Sequence, residues 1–206
     1  MRNSPVPDIV VGRLPLYLRA LTQMQVEGKE ITSSQELGER LGISSAQIRK
    51  DLSQFGEFGK QGTGYNIGYL GDQLKTILKV DRVWDVVLVG VGDLGRAVAN
   101  YAGFVDRGFN IQAVFDNIPK KIGKQAGEFN IRDAAELSSE IQSSGIQVAM
   151  LAVPSNQAQE VADQLVEAGI RAILCYAPTS INVPATVRVQ YIDPVLHLQH
   201  MTYHVP

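Results

Sequence analysis

The chain has 206 residues, 45% of them hydrophobic and 19% charged, which is typical of an ordinary soluble globular protein. Its longest uncharged stretches are interrupted by Gly, Pro and amide residues, so we expect no membrane span and no membrane partner. The single cysteine, Cys175, excludes an internal disulfide, and with a start that lacks the apolar core of a signal peptide it predicts a cytoplasmic protein.

The formal net charge of −2 is divided unevenly along the chain. Residues 1–80 hold ten Lys and Arg against eight Asp and Glu, a net charge of +2, whereas the remaining 126 residues carry −4. The asymmetry is compatible with a first part that faces nucleic acid, although charge alone is a weak indicator of DNA binding.

The first part has helical periodicity. An apolar stripe predicts one helix, ended by Gly28, and comprises Leu14, Tyr17, Leu18, Leu21 and Met24. Ser33 and Glu36 have the spacing of a capping box and predict a short helix that runs to about residue 41. Ser44 and Gln47 repeat this spacing, so a second short helix is expected to begin there.

These two short helices form a helix-turn-helix signature. The tripeptide Gly42-Ile43-Ser44 joins them, and the second helix carries Ile48, Leu52 and Phe55 on its inner face. An ordinary helical hairpin would show the same pattern, so the signature alone does not establish DNA binding.

The next segment, GEFGKQGTGYNIGYL (residues 56–70), predicts a tight β-hairpin. We expect Gly59, Gly62 and Gly64 to supply the positive φ angles of its turn. A hairpin after a helix-turn-helix is the wing of winged-helix DNA-binding proteins, and glycines at its tip let the backbone approach phosphates. With the wing included, DNA binding is favoured, and helical spacing resumes over residues 71–83.

From residue 84 onward, strands and helices alternate. Apolar runs predict strands at 84–90, 111–115, 146–153, 171–177 and 187–192, and helices are expected at 93–107, 133–144 and 155–168. Gly145 and Gly169 stand where helix-ending glycines belong. This alternation predicts an α/β fold, a doubly wound parallel sheet of the Rossmann type with helices on both faces.

The first predicted strand ends in a glycine-rich loop, GVGDLG (residues 90–95). Gly90 would permit the turn, Gly92 would let the backbone approach a pyrophosphate, and Gly95 would let the following helix pack on the sheet. Asp116 stands 21 residues beyond Gly95 at the end of the next strand. Strand, loop, helix and acid together form the dinucleotide-binding fingerprint.

Asp116 is expected to accept hydrogen bonds from the adenosine ribose hydroxyls. This favours NAD over NADP, because a 2′-phosphate would meet a like charge. The neighbouring Lys120 and Lys121 leave that selectivity open.

An enzyme is the principal alternative, as a small NAD-dependent oxidoreductase with a helical appendage. The dinucleotide part spans only about 110 residues and leaves no room for a substrate domain. Helical metal ligation by His197, His200 and His204 is less expected than exposed histidines without a metal. Cys175 is a reactive thiol or, more simply, a buried strand residue. We therefore predict no catalytic residue, no metal, and a cofactor that acts as a signal.

Five segments give the chain a strong resemblance to the Rex family of bacterial redox-sensing transcriptional repressors. They are QIRKDLSQFGEFGKQGTGY (47–65), VGVGDLGRAV (89–98), FD (115–116), AVP (152–154) and YAP (176–178). The resemblance implies a homodimer that binds an inverted-repeat operator in double-stranded DNA when NADH is scarce. It also implies a C-terminal helix exchanged between subunits, and release from DNA when NADH rises relative to NAD.

The resemblance and the residue chemistry together give a set of candidate site residues. For DNA they are Ser45, Gln47, Arg49, Lys50, Lys60, Gly62 and Tyr65, although Tyr65 could equally pack the hairpin onto the helices. For NADH and NAD they are Gly90, Val91, Gly92, Asp93, Leu94, Gly95, Tyr101, Phe104, Asp116, Asn117, Ala152, Val153, Pro154, Tyr176, Ala177 and Pro178.

Three further points concern redox discrimination, a switch pair and the charge in the glycine loop. An apolar pocket made by Val153, Pro154, Ala177 and Pro178 would penalise the cationic ring of NAD⁺ more than the neutral ring of NADH, which gives a hypothesis for redox discrimination. Arg19 and Asp193 correspond in the resemblance to a switch pair, but two solvated charges would look the same in sequence. Asp93 puts a negative charge into the phosphate loop, or else caps the following helix.

The predicted organisation has three parts. Residues 1–80 form a winged-helix DNA-binding domain, residues 81–191 a Rossmann NAD(H)-binding domain, and residues 192–206 a C-terminal dimerisation helix. An apolar face on that last helix, Val195, Leu198, Met201 and Val205, suits a partner or a core within one chain. A third reading is a nucleotide-binding module whose first domain makes only protein contacts.

Overall fold

The computed structural model describes residues 6–60 and 62–205, and the chain divides into two compact units between Arg82 and Val83. Each unit has its own buried hydrophobic residues. The side chain of Lys60, a candidate DNA contact, lies outside the described part of the chain.

The first unit is built from helices and one small sheet. In the described residues its elements are α1 Asp8–Val11, α2 Leu14–Val26, β1 Ile31–Thr32, α3 Ser34–Leu41, α4 Ser45–Leu52, β2 Gly59–Lys60, β3 Gly64–Asn66 and α5 Ile67–Leu78. The predicted apolar stripe on α2 is confirmed, with Leu14, Tyr17 and Met24 fully buried. Ile48 and Leu52 of α4 pack into the same core.

Both predicted helix caps are present. The Ser33 hydroxyl accepts the N–H of Glu36 at 3.1 Å, and the Ser44 hydroxyl accepts the N–H of Gln47 at 3.2 Å. The reciprocal half of each capping box is absent from the described contacts, because the side chains of Glu36 and Gln47 bind other partners. The serines alone therefore fix where α3 and α4 begin.

The predicted hairpin forms, with two corrections. Strands β2 and β3 pair antiparallel, and β1, which the sequence did not reveal, pairs with the other side of β3. Gly62 and Gly64 have φ of 86° and 78°, but Gly59 is not in the positive region. Gly59 is instead required by space, since an added Cβ would lie 2.4 Å from the Gly64 carbonyl oxygen. The hairpin is also shorter than predicted, because Asn66 caps α5.

The second unit alternates strands and helices. In the described residues its elements are β4 Trp84–Val89, α6 Asp93–Ala99, a 3₁₀ helix Ala102–Arg107, β5 Phe109–Asp116, β6 Gln125–Ala126, β7 Phe129–Asp133, a 3₁₀ helix Ala134–Glu136, α7 Leu137–Ser144, β8 Val148–Leu151, α8 Ser155–Ala168, β9 Ala172–Cys175, β10 Arg188–Tyr191 and α9 Pro194–Thr202.

The sheet is doubly wound, as predicted, but it contains two strands, β6 and β7, that the sequence analysis did not predict. Its strands lie in the order β10-β9-β8-β4-β5-β7-β6, and all neighbours are parallel except the β6–β7 pair at one edge. Setting β6 aside, this is the Rossmann order 3-2-1-4-5-6, so the chain changes direction across the sheet between β4 and β8. Ligands of such sheets bind at the carboxyl ends of the strands at this point.

One predicted helix is interrupted. The segment 93–107 forms α6 and then a separate 3₁₀ helix, with Tyr101 in an extended conformation between them. At the end of α6 the Arg96 carbonyl accepts both the Asn100 N–H at 3.1 Å and the Asn100 side-chain amide at 2.6 Å.

Candidate functional site

The glycine loop closes tightly against the end of β8. Gly90 has φ of 95°, and a Cβ there would lie 2.4 Å from the Ala152 carbonyl oxygen. A Cβ on Gly95 would lie 2.0 Å from the Gly90 carbonyl oxygen. Neither position can hold a larger residue without moving backbone, so both glycines fix the path of the loop between β4 and α6.

The middle of the loop is open. Gly92 is the N-cap of α6 and is exposed, and a Cβ added to it would meet no atom within 4 Å. No side chain caps α6, so its first N–H groups face the loop without a side-chain acceptor. Asp93 is the first residue of the helix rather than its cap, which answers the alternative that sequence left open for it.

Asp116 lies at the end of β5 and braces this loop. Its Oδ2 accepts the N–H of Val91 at 2.8 Å and a hydrogen bond from Lys121 Nζ at 2.9 Å, while Oδ1 accepts the N–H of Ile118 at 2.9 Å. Burial by itself would raise the pKa of the Asp116 carboxyl, but these three donors outweigh it and hold the pKa below its ordinary value. The residue is therefore an anion that organises the loop.

A cleft of about 840 Å³ lies over the glycine loop. Eleven of the predicted cofactor residues line this cleft: Gly90, Val91, Gly92, Asp93, Leu94, Asp116, Asn117, Ala152, Val153, Pro154 and Tyr176. The carboxyl ends of β4, β5, β8 and β9 bring them together, as expected for a site at the point where strand order reverses.

The cleft also has walls that the sequence analysis missed. Gln157, Glu160, Val161 and Gln164 of α8 line one side. Their spacing of three and four residues places them on one helix face, so the helix predicted directly after AVP contained the signal. Among the described lining residues, Lys121 is the one cation beside the acids Asp93, Asp116 and Glu160.

Five predicted cofactor residues are not part of this lining in the described chain. Gly95 is buried under the loop, Ala177 is buried in the core, and Pro178 is exposed. Tyr101 and Phe104 follow α6 and pack edge to face, with ring centroids 5.1 Å apart. Their roles toward a cofactor remain predictions.

Cys175 is a core residue at the end of β9. Its side chain is fully buried and the thiol contacts the Ala177 carbonyl at 3.8 Å. Burial raises the pKa of the Cys175 thiol, which disfavours the reactive thiolate. This matches the simpler of the two alternatives that the sequence left open.

The exposed face of α4 is basic. Ala46, Arg49, Lys50 and Ser53 are exposed, whereas Ser45 is half-buried at the helix start. Arg49 Nη1 contacts the Ser34 hydroxyl of α3 at 2.8 Å. Of the predicted DNA contacts, Arg49 and Lys50 therefore share one accessible surface.

Gln47 differs from the expectation of a free base-reading side chain. Its amide donates to Asp51 Oδ1 at 2.6 Å, because Asp51 lies one turn later on the same helix and is completely buried. Asp51 also accepts hydrogen bonds from Arg13 and Tyr17 of the α2 region. Arg13 and Tyr17 lie 38 and 34 residues from Asp51 in sequence, and the sequence pattern gave no indication of this cluster.

The hairpin residues divide between two roles. Gly62 is exposed at the tip. Tyr65 is half-buried against the helical core, and burial raises the pKa of its hydroxyl, an effect that nearby Arg49 partly offsets. Tyr65 thus packs the hairpin onto the helices, which was one of the two predicted alternatives.

The remaining candidates lie on α2 and in or beside α9. Arg19 is exposed on α2, and Asp193 caps α9 by accepting the Val195 N–H at 2.9 Å. The rings of His200 and His204 stack edge to face at 5.5 Å. Within the described ranges, no group of three or more His, Cys, Asp or Glu side chains could hold a metal ion. No helix in those ranges is long and apolar enough to cross a membrane.

Helix α9 buries none of its residues in the described chain. Its exposed apolar side chains continue past the helix end and comprise Val195, Leu196, Leu198, Met201, Tyr203 and Val205. This leaves the predicted apolar face uncovered within the chain.

Comparison with known proteins matches both units. A family model described as the N-terminus of putative DNA-binding proteins matches residues 5–53, and a CoA binding domain model matches residues 81–179. The redox-sensing transcriptional repressor Rex of Chloroflexus aurantiacus is 52% identical over 204 residues, which cover 99% of this chain and 96% of that protein.

Two solved structures are also similar over almost the whole chain. The structure of RSP in complex with β-NAD⁺ and operator DNA has a TM-score of 0.92 at 35% identity, covering 98% of this chain and 94% of that one. The structure of RSP in complex with β-NADH has a TM-score of 0.89 at 33% identity, covering 98% and 95%.

Proposed function

This chain belongs to the Rex family of redox-sensing transcriptional repressors, and from that premise we propose that it binds operator DNA and releases it when NADH occupies the cleft over the glycine loop. The observation that carries the proposal is the loop itself. Gly90 and Gly95 are locked by backbone contacts, while Gly92 between them is open to a ligand.

The proposed nucleotide site divides into a phosphate end and a nicotinamide end. The pyrophosphate would lie against Gly92 and the first N–H groups of α6. Asp116 would present the remaining acceptor position of Oδ1 to the adenosine ribose, since two donors already occupy Oδ2. The nicotinamide would lie toward Val153, Pro154 and Tyr176, and Tyr101, Phe104, Ala177 and Pro178 would act only if the site rearranges on binding.

Redox discrimination follows from the apolar character of the nicotinamide end. NAD⁺ carries a positive ring and NADH a neutral one, and the transfer of a charged ring from water to an apolar wall is more costly. Val153 and Pro154 belong to that wall. Val153 is half-buried and Pro154 is exposed, and both line the cleft. NADH is therefore the tighter ligand and the releasing signal.

The proposed DNA surface is the exposed face of α4 with the tip of the β2–β3 hairpin. Arg49 and Lys50 present two cations on one side of the helix, suited to phosphate oxygens and guanine edges. Gly62 lets the hairpin backbone approach the DNA closely. Similarity to a repressor bound to operator DNA supports this assignment.

We further propose a cytoplasmic homodimer on an inverted-repeat operator. The uncovered apolar face of α9 is suited to a second copy of the chain, and two-fold symmetry of the protein would match that of the operator. Each nucleotide state would favour a different spacing of the two hairpins, so NADH would shift the population away from the DNA-bound form. Arg19 and Asp193 are the proposed switch pair.

Fluorescence anisotropy on an A·T-rich inverted-repeat duplex tests the proposal, with NADH and NAD⁺ titrated separately at fixed salt. We expect release by NADH at concentrations where NAD⁺ has little effect. Tight DNA binding that ignores both nucleotides would contradict the sensor role. Oxidation of NADH by the protein with a carbonyl substrate would favour the oxidoreductase alternative, although the curated relatives are named as repressors.

A further inference from the structure

The carboxylate of Asp51 occupies the centre of a completely satisfied hydrogen-bond cluster. Oδ2 accepts Arg13 Nε at 2.6 Å and the Tyr17 hydroxyl at 2.6 Å. Oδ1 accepts Arg13 Nη2 at 2.8 Å and the Gln47 amide at 2.6 Å. A carboxylate offers about four acceptor positions, and all of them are used here.

The cluster joins two elements that are far apart in sequence. Arg13 is the N-cap of α2 and Tyr17 lies one turn into that helix, whereas Gln47 and Asp51 lie one turn apart on α4. Asp51 and Tyr17 are fully buried, and the Arg13 side chain is 21% exposed. A bidentate guanidinium–carboxylate pair therefore connects the start of α2 to the buried side of α4.

Apolar packing alone would leave the rotation of α4 poorly defined. Ile48 and Leu52 hold the helix on the core, but hydrophobic contacts have little directional preference. A bidentate guanidinium–carboxylate pair has a fixed planar geometry. The three directional bonds from Arg13 and Tyr17 to this one side chain therefore define how far the helix turns about its own axis.

That rotation decides where the exposed cations point. Arg49 and Lys50 immediately precede Asp51 on the helix. With side chains included, an α-helix has a radius of about 5–6 Å, so a rotation of about 10° moves a side-chain end by about 1 Å. A displacement of that size exceeds the tolerance of about 0.5 Å for a geometrically defined contact, but hardly changes attraction to phosphates.

We propose that Asp51 is a positioning residue for sequence recognition, which sets the rotation of α4 through Arg13 and Tyr17 so that Arg49 and Lys50 meet base edges, while Gln47 on the same helix holds the carboxylate in place. This inference rests on the proposed DNA-binding function. Sequence preference and non-specific affinity should therefore respond differently. The cluster governs preference for the correct sequence, whereas non-specific affinity depends mainly on the exposed cations of the surface.

The test compares affinity for two duplexes of equal length and composition, at several salt concentrations, using the full chain. One duplex is the sequence that the unaltered protein selects from a random library, and the other is its scrambled version. The variants are Asp51→Asn, which keeps shape but removes the charge, and Tyr17→Phe, which removes a single donor. Arg40→Gln is the matched control, since it breaks a bidentate pair with Glu27 that does not involve α4.

We expect the ratio of specific to scrambled affinity to fall about tenfold in Asp51→Asn and about threefold in Tyr17→Phe. Scrambled-duplex affinity and its salt dependence should stay unchanged in Tyr17→Phe, which alters no charge, and should not fall in Asp51→Asn, which removes a negative charge. Arg40→Gln should keep the full ratio. An unchanged ratio in Tyr17→Phe and in folded Asp51→Asn would overturn the proposal. So would a parallel loss of both affinities in variants that are folded, because it would show that the cluster supports overall DNA affinity rather than sequence preference.

Failure of the proposed function would look different. In that case the unaltered protein would select no sequence from the library, and no ratio would exist to compare. A clear preference in the unaltered protein that both variants retain would instead reject the positioning role alone.

Discussion

Lys121 and the N–H of Val91 share one oxygen of Asp116: Nζ lies 2.9 Å from Oδ2, and the Val91 nitrogen lies 2.8 Å from the same atom. The contact couples the rim of the cleft to the glycine loop. It also places a positive charge beside the acid that, in the proposed site, faces the adenosine ribose. Lys121 is the lining residue that offsets the three acids there.

Replacing Lys121 with Gln should weaken NADH binding about fivefold. The change leaves Asp93, Asp116 and Glu160 without a nearby cation in the lining, and about 1 kcal/mol of lost attraction to phosphate corresponds to that factor. Isothermal titration calorimetry measures it. Lys120→Gln is the control, because Lys120 is the neighbouring lysine and is not part of the lining. Equal losses in both variants would contradict the assignment.

Replacing Asp93 with Asn should strengthen the binding of NADH and NAD⁺ by about fivefold at low salt. The carboxylate is exposed at the first residue of α6 and would repel a pyrophosphate against that helix start. The gain should shrink as salt rises, since the interaction is screened. Asp85→Asn, at the opposite end of β4, should change neither affinity. A gain that is independent of salt would argue against repulsion.

The two loop glycines should respond differently to alanine. Gly92→Ala should leave the stability of the second unit unchanged, because the new Cβ meets no atom within 4 Å, but it should weaken NADH binding at least tenfold by blocking close backbone approach. Gly95→Ala should destabilise the unit, because its Cβ would lie 2.0 Å from the Gly90 carbonyl oxygen. Fluorescence of Trp84 during denaturation measures stability, since the chain has a single tryptophan and it begins β4.

Val153→Asp should narrow the difference between NADH and NAD⁺ affinities by about tenfold. A carboxylate in the wall of the cleft would compensate the cationic ring of NAD⁺ and do nothing for the neutral ring of NADH. Val153→Asn provides a control of similar size without charge. The hypothesis fails if the two variants give the same affinity ratio.

The first unit should lose stability in acid partly through Asp51. Burial would raise the pKa of this carboxyl, but the donors Arg13, Tyr17 and Gln47 outweigh burial and hold the pKa below its ordinary value. Its stabilisation is therefore complete above the unfolded-state pKa of about 3.9 and is lost as pH falls through the lower folded-state pKa. Glu27 and Glu36, whose pKa values are also lowered by their ion pairs, add to the same loss.

Hydrogen exchange of the α4 amides between pH 6 and pH 3 measures this effect. Asp51→Asn should lower the local free energy of unfolding by about 3 kcal/mol at pH 6 and should flatten its decline toward pH 3. The Arg40→Gln variant, with the buried cluster intact, should keep the steep decline of that helix. An equally steep decline in Asp51→Asn would place the acid sensitivity elsewhere.

Local signals in the sequence predicted the helix starts and the glycine loop. Ser33 and Ser44 act on amides three residues away, and Gly95 packs against the carbonyl of Gly90 five residues earlier, so short-range spacing was sufficient. The doubly wound class of the sheet also followed from the alternation of strands and helices, although β6 and β7 were not predicted. Such features depend on neighbours in the chain.

The features that sequence did not reveal depend on tertiary neighbours. Asp51 reads as one polar residue among several on a polar helix, and only folding brings Arg13 to it from 38 residues away. Gly59 was assigned a positive φ because glycine permits one, yet its role is to make space for the opposite strand. The helical spacing of Gln157, Glu160 and Gln164 was visible in the sequence, but only the folded sheet shows that this side of α8 lines the cleft.

The nine-residue helix α9 has a thermodynamic consequence for the whole chain. Isolated helices shorter than about 12–15 residues are marginal in water, and α9 buries none of its residues within the described chain. Its helical state then depends on whatever covers its apolar face, so ordering and association become one equilibrium governed by mass action. If a second copy provides that cover, the end of each chain is ordered at high protein concentration and unfolds on dilution. The amount of repressor in a cell then sets the fraction of chains in which α9 is folded.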